Sequence, residues 1–160
     1  MSIAQSLESI GFLNEFSESV LVYPIVLSTH LTCIALLGGM ILMTNLRLLG
    51  LTLKSLTITE VVTSLRLWKR IGGVIMIGTG LLLATSEATK YAPNPFFWTK
   101  MIILSLIGVH ALVFRPIVYN RTEELDRSSL IPAKVKAAAI LSLILWTGMF
   151  TMGRLIAYWD

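Results

Sequence analysis

Two histidines, each inside a long apolar run, are the residues of this sequence best suited to chemistry. His30 and His110 are the only histidines among the 160 residues. An ionisable side chain is costly in hydrocarbon, so its presence there indicates a functional role. Neutral imidazole is a common metal ligand and an axial ligand of haem iron. The pair predicts a haem b site, and the alternative is that each ring hydrogen-bonds a neighbouring helix.

The depth of the two histidines decides whether they can ligate one iron. We expect helices over 20–46 and 96–119 that run in the same direction, with His30 ten residues into the first and His110 fourteen into the second. Across a hydrocarbon layer of about 30 Å, these positions differ in depth by roughly 5–10 Å. One shared haem would be strained, so two separate sites, or one haem with another sixth ligand, stay open.

Two cations are predicted near the same membrane face as His30. Lys100 and Arg154 lie close to the ends of their helices on that side. Buried carboxylates need charge-assisted partners, so both cations are candidates to bind the propionates of a haem. The alternative is an ion pair with Glu87, which ends the expected second helix at the same level.

Sulfur-bearing residues suggest a second kind of metal site. His30 and Cys33 form an H-x-x-C pattern, and M-x-x-M patterns begin at Met40 and Met149. Soft sulfur ligands suit Cu(I). Methionine also fills irregular gaps between helices. Copper handling is therefore an alternative to haem binding.

The composition indicates what kind of secondary structure must position these residues. The chain is 55% hydrophobic and 14% charged, with a mean hydropathy of +0.78. Soluble domains carry about 25% charged residues. We predict one all-α domain, 1–160, that forms an integral membrane four-helix bundle spanning the bilayer at about 20–46, 66–87, 96–119 and 134–158.

The segment before the first span has its own apolar stripe. Ile3, Leu7, Ile10, Leu13 and Phe16 recur at spacings of three and four residues. This pattern predicts a short amphipathic helix over 2–19 that lies on the membrane surface. A disordered leader is the alternative.

The distribution of basic residues predicts the orientation. Ten of the 13 Lys and Arg residues flank the loops after the first and third spans. The positive-inside rule places these loops in the cytoplasm and both termini outside, in the periplasm for a bacterial inner membrane. The net charge of +4 is thus explained by membrane anchors, and no nucleic acid is expected as a partner.

Small residues occupy one side of the first span. Ser28, Thr32, Ala35 and Gly39 share a helix face, and His30 lies on the bulkier opposite side. Small residues allow close approach of helix backbones. The bulkier side must meet a cofactor, another helix or a second subunit, so a homo-oligomer or membership of a larger membrane complex is predicted.

Several motifs resemble those of an uncharacterised family of bacterial four-helix inner-membrane proteins. The motifs are Tyr23-Pro24, His30, NLRLLG at 45–50, WKRIGG at 68–73, GLLL at 80–83 and NPFFWTKM at 94–101. The chain is also distantly similar to membrane b-type cytochromes and to copper-resistance D proteins. Those similarities imply that His30 is a haem or metal ligand, and that the position of His110 is the more variable one.

These observations predict a small b-type cytochrome, or a haem-bearing subunit of an electron-transfer complex, with quinone as a candidate partner. No nucleophile–base–acid set is recognisable, so we expect a non-catalytic electron carrier rather than an enzyme in its own right. A cofactor-free structural subunit and a copper-handling protein are the alternatives.

Overall fold

The computed structural model describes residues 3–128 and 130–159, without the side chains of Ile3 and Leu7. All the regular structure in these residues is helical, which confirms the predicted all-α class. The helices are α1 Ile3–Glu8, α2 Gly11–Glu18, α3 Val22–Leu48, α4 Ile58–Ser86, α5 Ala88–Tyr91, α6 Pro95–Phe114, α7 Thr122–Arg127 and α8 Ala133–Leu155. A π-helical turn, Arg115–Tyr119, extends α6, and a 3₁₀ turn, Ile156–Tyr158, extends α8.

Four of these helices are long and apolar enough to cross a bilayer. They are α3, α4, α6 with its π turn, and α8 with its 3₁₀ turn. The chain therefore has the build of a multi-pass membrane protein, as the apolar runs predicted. Most of the surface of these helices is not covered by protein, as expected for helices in contact with lipid.

Helix α4 begins at Ile58, well before the predicted span at 66, because its first turn is capped twice. Thr57 and Glu60 form a capping box, in which each side chain accepts a hydrogen bond from the other residue's backbone N–H. Asp126 of α7 accepts from the N–H of Ile58 at 2.6 Å and of Thr59 at 3.0 Å. The second cap comes from a residue about 70 positions away, so local sequence patterns do not reveal it.

The carboxylate of Asp126 makes the stability of this end depend on pH. Burial raises the pKa of Asp126, but hydrogen bonds from Thr59 and Ile58 and the charge of Arg47 outweigh it and lower the pKa below its ordinary value. A depressed folded-state pKa gives stability that is present above about pH 4 and is lost as the pH falls through the folded pKa.

Asp126→Asn should lower the free energy of unfolding by about 1 kcal/mol at neutral pH. The amide removes the charge at the N-terminus of α4 and leaves only one good acceptor for two N–H groups. Thermal unfolding in detergent, from pH 3 to 7, measures the effect, and the variant should lose part of the acid sensitivity. Glu123→Gln, at an exposed position of the same short helix, is the matched control and should leave both quantities unchanged.

Helices α3 and α8 form the centre of the bundle. Helix α3 packs along α4 and also against α8, while α6 packs against α8. Leu37 of α3, Met76 of α4, and Trp146 and Met149 of α8 form a buried cluster at the middle of the bundle. Three side-chain hydrogen bonds are spaced along the antiparallel α3/α4 pair, and they join Tyr23 to Glu87, His30 to Thr79, and Lys69 to Thr44.

The bundle has two distinct ends. At the terminal end, the N-terminal helices meet the α4–α5 corner, and Trp159 contacts Phe96 at the start of α6. At the basic end, residues from α3, α4, α7, α8 and the π turn bury a second cluster, which comprises Leu48, Ile58, Val62, Val118, Leu125, Val135 and Ala139.

The N-terminal segment forms two short helices where one was predicted. The chain bends at Ser9 and Ile10, the latter with an extended backbone, and Gly11 begins α2. Leu13 and Phe16 are buried, and the Phe16 ring lies 5.6 Å from that of Tyr23. The apolar stripe therefore packs partly on the bundle, whereas its location at a membrane surface stays a prediction. Ser2, where the predicted helix starts, lies outside the described residues.

Candidate functional site

His30 lies in the α3/α4 interface, toward the terminal end. It follows the start of α3 by eight residues, which is about 12 Å along the helix axis. Its Nδ1 is 2.9 Å from Oγ1 of Thr79. The ring is half-buried, and its bulky side of α3 meets α4 of the same chain. The small side, with Ser28, Thr32 and Gly39, is exposed.

The hydrogen bonds of Thr79 favour one tautomer of His30. The Thr79 hydroxyl donates to the carbonyl of Ile75 at 2.7 Å, so it has no second proton to give. With that proton so placed, Oγ1 of Thr79 accepts from His30 and the imidazole proton lies on Nδ1. Nε2 is left with its lone pair. A histidine whose Nδ1–H is held by an acceptor, with Nε2 free, has the arrangement of most metal-ligating histidines.

Gly80 makes room for the His30 ring. A Cβ atom built at position 80 would lie 2.8 Å from Cε1 of His30, closer than such atoms approach in real proteins. Any side chain at this position would force the imidazole to move. The GLLL motif therefore supplies a space that the His30 ring fills. Gly73 and Gly78 of the same helix have no such neighbour.

Lys100 of α6 is the cation that interacts with His30. It is half-buried, and it lies near enough to interact electrostatically with the imidazole. It forms no hydrogen bond and no ion pair with any residue that the structure describes. An unpaired cation inside a bundle is costly and calls for an anionic partner.

His110 lies in a different interface from His30. Its Nε2 is 2.9 Å from the carbonyl oxygen of Ala138, so α6 is joined here to α8. A carbonyl only accepts, so Nε2 carries the proton and donates it. His110 follows the start of α6 by fifteen residues, about 22 Å along its axis. The structure thus keeps the two histidines apart in depth and in helix pairing, and it does not support one iron held by both.

Arg154 and Glu87 are both engaged with other residues at the terminal end. Arg154 is exposed in the last turn of α8, and its guanidinium lies over the ring of Tyr158 at 5.8 Å. Glu87 accepts from Tyr23 at 2.8 Å and pairs with Lys90 at 3.0 Å. The predicted alternative, an ion pair of Lys100 or Arg154 with Glu87, is not formed.

Glu87 is held as a carboxylate by its neighbours. Burial raises the pKa of Glu87, but hydrogen bonds from Tyr23 and Lys90 outweigh this effect and lower the pKa below its ordinary value. Burial, together with the charge of Glu87, raises the pKa of Tyr91 to about 12. This small cluster closes the terminal end above His30.

The sulfur-bearing residues that suggested copper lie mainly around the central cluster. No group of three or more His, Cys, Asp or Glu side chains in the described part of the chain could hold a metal ion. Met40 packs against the central cluster, whereas Met43 is 51% exposed. Met149 is buried in that same cluster. Met40 and Met149 therefore contribute to packing at the middle of the bundle.

Sequence reasoning missed a group of polar contacts at the basic end. Asn45 of α3 donates to Ser142 of α8 at 2.9 Å, and Lys69 of α4 donates to Thr44 at 3.0 Å. Thr44 and Asn45 are both buried. The adjacent Thr-Asn pair at the end of an apolar run was a usable signal, because two such side chains in a membrane helix need partners.

Comparison with known proteins identifies the family of this chain but no activity. No curated protein and no solved structure matches the sequence. The model of a protein family described as "Family of unknown function (DUF6644)" matches residues 10–159 and so covers His30, Lys100, His110 and Arg154. With nearly its whole length matched, this four-helix membrane chain belongs to the family of unknown function DUF6644.

Proposed function

We propose that this chain is a small b-type cytochrome, or a haem-bearing subunit of an electron-transfer complex, with His30 as the axial ligand. The observation that carries the proposal is the hydrogen bond between Nδ1 of His30 and the Thr79 hydroxyl, which, with the imidazole proton on Nδ1, leaves the lone pair of Nε2 for a ligand. Haem b would supply a one-electron redox couple.

The residues around His30 suit an anionic cofactor. Lys100 has no partner among the described residues, and a propionate would neutralise it through a charge-assisted hydrogen bond. Arg154 is available at the same end for the second propionate, since its present contact with Tyr158 is a long 3.4 Å hydrogen bond. Thr79 would hold the imidazole in the ligating orientation, and Gly80 would keep the ring against α4.

His30 is the only histidine that we propose as a ligand. Nε2 of His110 is committed to Ala138, and His110 is joined to α8 rather than to the α3/α4 pair. His30 alone would then bind the haem iron. This arrangement corresponds to one of the alternatives that the sequence left open, in which the two histidines do not share an iron.

We place the protein in the bacterial inner membrane with both termini in the periplasm. The excess of Lys and Arg at the basic end supports this orientation. His30 and Lys100 would then lie in the periplasmic half of the membrane, and quinone would be a suitable electron partner there. The exposed small-residue side of α3 supports contact with a second copy or with another subunit.

An absorption spectrum of the purified protein tests the proposal. Protein expressed with excess haem precursor should be red, with a Soret band that shifts when dithionite is added, and pyridine haemochrome assay should give close to one haem b per chain. A colourless preparation from such cells would overturn the proposal. Copper found by elemental analysis of haem-free protein would favour copper handling instead.

A further inference from the structure

Arg70 is a cation on the side of α4 that faces away from the bundle. It is exposed, and it makes no hydrogen bond or ion pair with any residue that the structure describes. Each residue of a helix advances by about 100° around the axis, so Arg70 lies about 120–140° from Met76 and Leu83. Those two residues are buried in the bundle. The side chain of Arg70 therefore extends toward lipid.

An uncharged apolar stripe continues from Arg70 along the same side of α4. Val74, Ile77 and Leu81 follow at spacings of four, three and four residues, and they are 73%, 59% and 65% exposed. Residues three and four apart are neighbours on one face of a helix. The cation thus stands at the basic end of an exposed apolar stripe, which comprises Val74, Ile77 and Leu81.

The stripe is as long as one leaflet of a bilayer. Arg70 and Leu81 are eleven residues apart, which is about 16 Å along the helix axis. The hydrocarbon layer is about 30 Å thick, so one leaflet contributes about 15 Å of it. An acyl chain that begins beside Arg70 would therefore cover the whole stripe.

The charge of Arg70 is not neutralised by the protein. Its neighbour one turn earlier is another cation, Arg66, which donates to the carbonyl of Tyr119 at 3.0 Å. The ion pairs of the described residues lie elsewhere. Like charges at a spacing of four residues destabilise a helix. A phosphate beside the two arginines would remove this repulsion, and a guanidinium group binds phosphate through two parallel hydrogen bonds.

We propose that Arg70, with Arg66 beside it, binds the phosphate of an anionic phospholipid in the leaflet at the basic end. Side chains lean toward the N-terminus of their helix, and α4 begins at the basic end, so the guanidinium of Arg70 reaches toward the headgroups. The acyl chain would lie along the apolar stripe. A free anion gains nothing from this stripe, whereas a lipid uses both parts of the site. The site is on the outer side of α4 and does not depend on the proposed haem.

Lipid binding to the full chain tests the proposal. Purified protein in detergent micelles that contain phosphatidylcholine is titrated with phosphatidylglycerol, and the bound lipid of each class is counted by native mass spectrometry. Wild-type protein should retain phosphatidylglycerol in preference to phosphatidylcholine. Arg70→Gln should weaken the binding of phosphatidylglycerol roughly fivefold, as expected for one arginine near an anionic headgroup. Unchanged binding in Arg70→Gln would overturn the proposal.

Two controls separate a lipid site from a general effect of charge. Arg127→Gln removes the same charge from an exposed position of α7 at the same end and should bind phosphatidylglycerol like the wild type. An equal loss in this variant would show that only the total charge matters, and it would overturn a specific site. Inorganic phosphate, added at constant ionic strength, should not displace the bound lipid, because it makes no contact with the apolar stripe. Displacement by phosphate would assign the site to a free anion and contradict the proposal.

Discussion

Replacing His30 with alanine should abolish the Soret absorption of the purified protein. The imidazole of His30 is the proposed ligand, so its removal leaves the iron without a histidine partner in the α3/α4 pair. Because Lys100 would still attract the propionates, some haem can associate loosely, but it should wash off during purification. The measurement is the ratio of Soret absorbance to protein, with more than a tenfold fall expected.

His110→Ala is the matched control for this loss. It deletes the same side chain from another membrane helix, where Nε2 is bonded to Ala138, and the Soret band should stay at its wild-type position. Added imidazole should restore absorption to folded His30→Ala, because it refills the space left by the ring. A wild-type spectrum in His30→Ala, or a bleached one in His110→Ala, would contradict the ligand assignment.

Replacing Gly80 with alanine should destabilise the α3/α4 pair by about 1–3 kcal/mol. The new Cβ would come within 2.8 Å of Cε1 of His30. The ring cannot simply rotate away, since it would lose its hydrogen bond to Thr79. In an exposed helix the same change would instead stabilise by up to about 1 kcal/mol, so the steric effect must exceed this gain. Unfolding in mixed detergent gives the free energy.

A double-mutant cycle identifies the cause of that loss. In a His30→Ala background the clash partner is absent, and Gly80→Ala should then be neutral or slightly stabilising. Gly78→Ala, where a Cβ would meet nothing within 4 Å, should be harmless in both backgrounds. If Gly80→Ala costs the same with and without the imidazole, the close contact between position 80 and His30 is not the reason for its effect.

The membrane architecture was predictable from sequence because hydrophobicity is a local property of each run. The start of α4 was not, because Asp126 caps it from a distant part of the chain. The break at Ser9 and Ile10 was hinted at by Gly11 but hidden by the regular apolar stripe.

The candidate site was also predictable only in part, because some of its features depend on tertiary contacts. The sequence identified His30 and Lys100 from residue type and membrane depth alone. It could not distinguish His30 from His110, because the difference lies in their partners, a hydroxyl of α4 for one and a carbonyl of α8 for the other. The clash that Gly80 avoids, and the contact of Lys69 with Thr44, likewise depend on helix register, which hydropathy does not encode.

The three polar contacts along α3 and α4 also limit how the bundle can move. A slip of one residue would shift the helices by 1.5 Å and turn each side chain by about 100°, so Tyr23, His30 and Lys69 would lose their partners together. The α3/α4 pair therefore moves as one rigid unit. Helix α6 has no fully buried residue and packs mainly against α8. Any breathing of the bundle should therefore leave the α3/α4 pair, and with it the contact of His30 with Thr79, intact.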